Sequence, residues 1–214
     1  IDGVEYFNER PISTQQTAWS FISQMRSQLP REIGGCFWFG NDDGNMVAYT
    51  PMYSCITRIP KCFSDEGVDD VTFSLDNAYW VCNWVSNMVY PKYSLMFPSL
   101  QAVRDSLDAS YDKLQAQIEV KAQSLEGDAR VKYLTDYSCQ KGDEMIDRWR
   151  QLAYFLIVKY NDMVEKPTNA DGTFKRSKYG KGARVVRPGY PKEYAREILK
   201  QTGDKLIVPK EEKK

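Results

Sequence analysis

The amino-acid sequence predicts an α+β protein in which a β-hairpin packs with helices and is followed by a layer of long antiparallel helices. Two observations carry this. Short apolar runs flank the turn-forming Asn41-Asp42-Asp43-Gly44, and from Ser99 to Pro167 apolar residues recur at three-and-four spacing. The composition agrees: 214 residues with 42% hydrophobic and 13% aromatic content are enough for a core and far from a disordered chain.

Ser13 followed by Gln16 fits a capping box, and Trp19, Ile22, Met25 and Leu29 keep helical spacing until Pro30. A helix is therefore expected from Thr14 to Gln28. Cys36 to Phe39 and Met46 to Tyr49 then read as the two strands of the hairpin. Apolar residues occupy both strand faces, so the hairpin is expected to lie between two layers, with part of its cover supplied from outside this chain.

Ser64 to Asp70, SDEGVDD, is acidic but lacks the spacing of an EF-hand, so a solvated loop is favoured over a calcium site. After a cap at Ser74 or Asp76, the residues Ala78, Val81, Cys82, Val85, Met88 and Val89 form an apolar helical stripe. Cys82 sits in the middle of it, where a thiol behaves as a small hydrophobe and its thiolate is disfavoured. Asn83, Asn87 and Tyr90 share another face, and two roles are open to them, holding a ligand or satisfying a neighbouring loop, of which the second is favoured.

Three further helices are expected: Ser99 to Glu126, a short one over Ala129 to Tyr137, and an apolar one from Asp143 to Glu165 ended by Pro167. Gly172 to Lys192 holds seven basic and no acidic residues with Phe174, Tyr179 and Tyr190 interleaved. Basic and aromatic residues together meet a criterion for nucleic acid, but an extended tail across the acidic body of the same protein is the favoured reading. A short helix over Pro191 to Gln201 closes the chain, giving a domain at 1–166 and a basic, loop-rich tail at 167–214.

Twenty-nine basic residues balance twenty-nine acidic ones, so there is no global field for nucleic acid or an anionic membrane, and no apolar run reaches the roughly 18 residues of a membrane span. Neither partner is expected. The five cysteines, Cys36, Cys55, Cys62, Cys82 and Cys139, form no CxxC pair, which argues against a disulfide framework and a zinc site. No metal or cofactor is expected.

The chain contains no histidine. That excludes Ser-His-Asp and Cys-His catalysis and HExxH metal sites among these residues. Chemistry that dispenses with histidine remains, such as carboxylate pairs or a nucleophile activated by its own α-amino group. The latter needs Cys, Ser or Thr at the mature N-terminus, and Ile1 is none of these.

Three ordered segments resemble the C-terminal portion of the cysteine dipeptidases of the N-terminal-nucleophile hydrolase superfamily, relatives of the secernins. They are MRSQLPREIGGCFWFG (from Met25), AYTPMYSCITRIP (from Ala48) and DNAYWVCNWVSNMVYPKYS (from Asp76), within a likeness running from about Ile12 to Ser110. The resemblance implies an αββα sandwich and hydrolysis of dipeptides by an N-terminal cysteine acting through its own amino group. It also implies that the nucleophile lies upstream of Ile1, so no catalytic residue is assigned in this chain. The partners implied are a dipeptide substrate and the N-terminal half of the same protein, with homo-oligomers allowed. The rival reading is a non-catalytic interaction domain using its aromatic surface and basic tail.

Overall fold

The computed structural model describes residues 2–7 and 9–208. They divide into two compact units, 1–157 and 158–214. In the first, strands β1 (Trp19–Met25), β2 (Gly35–Asn41) and β3 (Thr50–Tyr53) form an antiparallel sheet in the order β1-β2-β3. A single helical turn, α1 (Arg31–Gly34), joins the first two.

The expected helix over Thr14 to Gln28 is instead a turn followed by β1. Thr14 and Thr17 bond to each other across the turn, Thr17 N to Thr14 O at 3.0 Å. The spacing of Trp19, Ile22 and Met25 fits a helix, but the same residues alternate in a strand, and β2 supplies what a lone helix would lack. Phe21 lies opposite Phe39 and beside Phe37, whose ring centroid is 4.4 Å away. Cross-strand aromatic contacts of this kind outweigh a weak local preference.

The hairpin forms, with its second strand later than expected. Met46, Val47 and Ala48 are buried in a loop, and pairing resumes at Thr50 opposite Phe39. A Cβ on Gly40 would meet Val47 Cγ2 at 2.7 Å, so the loop folds tightly against the strand it leaves.

The two sheet faces differ. Cys36 and Tyr53 face a core of Ile33, Ala122, Leu134 and Tyr137 from the helices. On the other face Trp19, Phe21, Phe37 and Phe39 stack in a ladder, with Trp19 55% and Phe21 47% exposed. The expectation of two covering layers is therefore met on one face only, and on the other the ladder stands open at its β1 end.

Helix α2 (Ala78–Val89) is capped by Asn77, whose side chain accepts from Trp80 N at 3.3 Å, one residue after the predicted cap. It runs through a 3-10 turn into α3 (Tyr93–Gln123), which begins six residues before the predicted Ser99 and so carries Pro98 inside the helix, where the proline has no N–H for the bond to the preceding turn. Gly127, with φ +49°, turns the chain into α4 (Gly127–Tyr160). Tyr111 OH donates to Lys141 O at 3.3 Å and Arg130 Nε to Ala122 O at 3.0 Å, so α3 and α4 run antiparallel.

Two helices expected over 129–137 and 143–165 are thus one. Gly142 does not break it; a Cβ there would lie 2.4 Å from Pro60 Cβ, and the glycine is needed for close approach of the loop. The helix ends at Tyr160, before Pro167, where Asp162 and Met163 take left-handed backbone at φ 61° and 55°.

One polar tie crosses this core. Arg26, at the end of β1, is held by Glu119 of α3 through Nη1–Oε2 at 2.8 Å and Nη2–Oε1 at 2.6 Å, and Tyr53 OH donates to Glu119 Oε1 at 2.9 Å.

In the second unit the basic segment is doubled back on itself, where an extended tail was expected. Glu165 and Val186 exchange both backbone bonds at 2.8 Å, and further bridges join Thr168 to Phe174 and Arg176 to Ala183. Helix α5 (Lys192–Thr202) follows.

Candidate functional site

In a chain without histidine the thiols are the first side chains to weigh as nucleophiles. All five are free thiols; four are buried and Cys55 is half-buried. Burial pushes the thiols of Cys36 and Cys62 up to about 12, and raises Cys82 well above the ordinary value with nearby Asp42 adding to the effect. Cys55 and Cys139 are raised by burial as well. Cys62 Sγ donates to Gly142 O at 3.5 Å and Cys139 Sγ to Arg58 O at 3.8 Å, contacts of neutral thiols. None of the five has the electropositive, accessible setting of a nucleophile.

The densest polar cluster lies where β2, α2 and α3 meet. Asp42 is fully buried with φ 73°, and Asp43 is buried beside it. Asp42 N extends the ladder toward β1 by donating to Ala18 O at 2.8 Å. Its Oδ1 accepts from Asp43 N at 2.6 Å and from Ser86 Oγ at 3.0 Å, while Oδ2 is buried without a partner. Burial raises the Asp42 carboxyl, and the Asp43 amide, Asn83 and Ser86 oppose the rise. Tyr90 OH donates to Asp43 Oδ2, and Asp43 Oδ1 accepts from Asn45 N at 2.9 Å. Arg104 of α3 closes the loop by donating to Asn45 O at 2.6 Å.

Asn83 and Tyr90, weighed in the sequence as ligand-holding residues, thus serve the hairpin loop, and Asn87 donates to Asn83 O at 2.8 Å within its own helix. The acidic turn is likewise engaged within the protein: Asp69 Oδ1 accepts from Val71 N at 3.0 Å, and its carbonyl accepts from Trp80 Nε1 of α2 at 3.0 Å. Among the described residues no three His, Cys, Asp or Glu converge as a metal site would require.

Asn41, whose side-chain oxygen is buried without a partner, lines an open cleft of about 210 Å³ with Phe63, Ser64, Asp65 and Asn77. A cleft bordered by such acceptors suits a hydrogen-bond donor such as an ammonium or amide N–H. Sequence reasoning read Asn41 to Asp43 only as turn formers. Two consecutive acids between Asn41 and Gly44 carry the signature of an exposed turn, so no local signal marks them as buried.

Residues 4–106 match the family model described as Peptidase family C69. Over this stretch, just under half of the chain, the protein is similar to peptidase family C69. The matched residues take in the whole sheet, the Asp42–Asp43 cluster, all of α2 and the start of α3, so the likeness rests on the part of the fold just described. A peptidase function follows at the level of the family. No curated protein matches the chain.

Proposed function

We propose that this chain belongs to peptidase family C69 and contributes the sheet and helical layer of a cysteine-type dipeptidase whose nucleophile, an N-terminal cysteine, is not among these residues. The observation that carries the reading is the state of the thiols: all five are raised by burial, and no histidine is present to draw a proton from any of them. The aromatic ladder supports it. One sheet face is covered by α3 and α4 and the other is partly bare, the condition of a sheet that would meet a second sheet in an αββα sandwich. The same bare face runs against a self-sufficient interaction module, which would expose few apolar patches.

In this reading Asp42 and Asp43 are positioning residues. They pin the loop after β2 to α2 and so hold the end of the strand at which Asn41 stands.

The test is hydrolysis of a panel of unblocked dipeptides by the full gene product and by this 214-residue chain, with N-terminal sequencing of the active form. Activity in the longer product alone, with cysteine at its mature terminus, is expected. Hydrolysis by this chain alone that a single Cys→Ala change abolishes would overturn the proposal.

A further inference from the structure

Helix α5 has two unlike halves. At 3.6 residues per turn, Tyr194, Ala195, Ile198 and Leu199 fall on one half, and Lys192, Arg196 and Lys200 run along the other beside Glu193 and Glu197. A helix of this length is marginal in water unless its apolar half is covered. Tyr194 and Leu199 are each 50% exposed, and the chain continues into Leu206, Ile207 and Val208, which are also exposed.

The preceding segment adds charge. Lys175, Arg176, Lys178, Lys181, Arg184 and Arg187 are all exposed, no acidic residue lies among them, and among the described residues none forms an ion pair. Because the bridges fold this segment back, the cations are displayed from a compact loop. Tyr179 is 86% exposed beneath Lys178 Nζ at 4.8 Å, and Tyr190 lies 4.9 Å from Tyr194 between ring centroids, so aromatic rings link the basic loop to the apolar half of the helix.

We propose that the second unit binds an anionic lipid surface, with α5 lying in the headgroup boundary, its apolar half inward, and the basic loop on the headgroups. The combination of a polar, basic-flanked helix and exposed aliphatic and tyrosine side chains is that of an interfacial element. Nucleic acid would satisfy the cations but offers no apolar medium for Ile198, Leu199, Ile207 and Val208. A second copy of the chain would cover the apolar half but bring two loops of six cations together. An anionic bilayer meets both needs. The balanced charge of the whole chain conceals this local excess, so the expectation of no membrane partner does not extend to this segment. The inference is independent of the peptidase reading.

The experiment is co-sedimentation of the full chain with phosphatidylcholine vesicles and with vesicles in which about a third of the lipid is phosphatidylserine. Binding to the second kind only, weakened by added salt, is expected. The double variant K178A/K181A should bind about 25-fold more weakly, from about fivefold per basic residue. Leu199→Glu should lose binding while keeping its circular dichroism, since Leu199 is exposed. Equal binding to both kinds of vesicle, or to neither, overturns the proposal. Binding to a single-stranded oligonucleotide at low salt without vesicle binding assigns the surface to nucleic acid. A dimer abolished by Leu199→Glu without vesicle binding assigns it to self-association.

Discussion

Alkylation of the native protein by iodoacetamide tests the central chemical claim, that no thiol in this chain is a nucleophile. Only the thiolate reacts, so the rate at fixed pH follows the thiolate fraction and the access of the reagent. An ordinary thiol ionising at 9.0 is about one per cent thiolate at neutral pH, and one ionising at about 12 carries roughly a thousandth of that. Cys36 and Cys62 should therefore react about a thousandfold more slowly in the folded protein than in a denatured control, and Cys82, fully enclosed among Val81, Val85 and Val89, more slowly still. Half-buried Cys55 should be modified first. Peptide mapping by mass spectrometry after timed quenching assigns the order. If Cys36, Cys62 or Cys82 were modified in the native state at the rate of the denatured control, the argument from burial would fail, and that cysteine would become the candidate nucleophile.

Three further outcomes follow from the packing. Glu119→Gln leaves the Arg26 guanidinium beside a neutral partner in a site where its side chain is 17% exposed, and should cost about 3 kcal/mol, read as a fall in Tm of roughly 6–12 °C; replacing Arg26 and Glu119 together with apolar residues should recover much of it. Gly142→Ala drives a Cβ into Pro60 and should destabilise by about 1–3 kcal/mol in denaturant unfolding, whereas a mere loss of helix-breaking glycine would stabilise. Burial raises the Asp108 carboxyl to about 6, with Arg104 opposing, so the folded state holds the proton more tightly than the unfolded one, and stability declines as pH rises from 3.8 to about 6. Asp108→Asn should flatten that slope and stabilise above pH 6, by on the order of 1 kcal/mol after allowance for solvent screening; an unchanged pH profile would show that Asp108 is not the group responsible.

Much of the candidate site could be read before the structure, in a negative form. Cys82 falls in an apolar stripe by spacing alone, and its burial follows from helical geometry once the flanking valines face the core. The Asp42–Asp43 cluster could not be read this way. Acids next to glycine and asparagine are the usual currency of exposed turns, and only the return of Met46 to Ala48 into the core, with Ser86, Asn83 and Tyr90 brought up by α2, makes that turn an interior one.

By itself the sequence determined the helical layer, the existence of a hairpin around Asn41 to Gly44 and the exclusion of histidine chemistry, because each rests on local periodicity or on residue types present or missing; the likeness to a peptidase family rests separately on the order of three matching segments. Tertiary structure decided the state of Trp19 to Met25, which local spacing assigns to a helix and the aromatic strand alongside converts to β. It also decided the continuity of α4 through Gly142, where a glycine that would weaken an isolated helix is required by the approach of Pro60. Last, it decided which sheet face is covered: both faces are apolar in the sequence, and only the antiparallel closure of α3 on α4 selects the one carrying Cys36 and Tyr53.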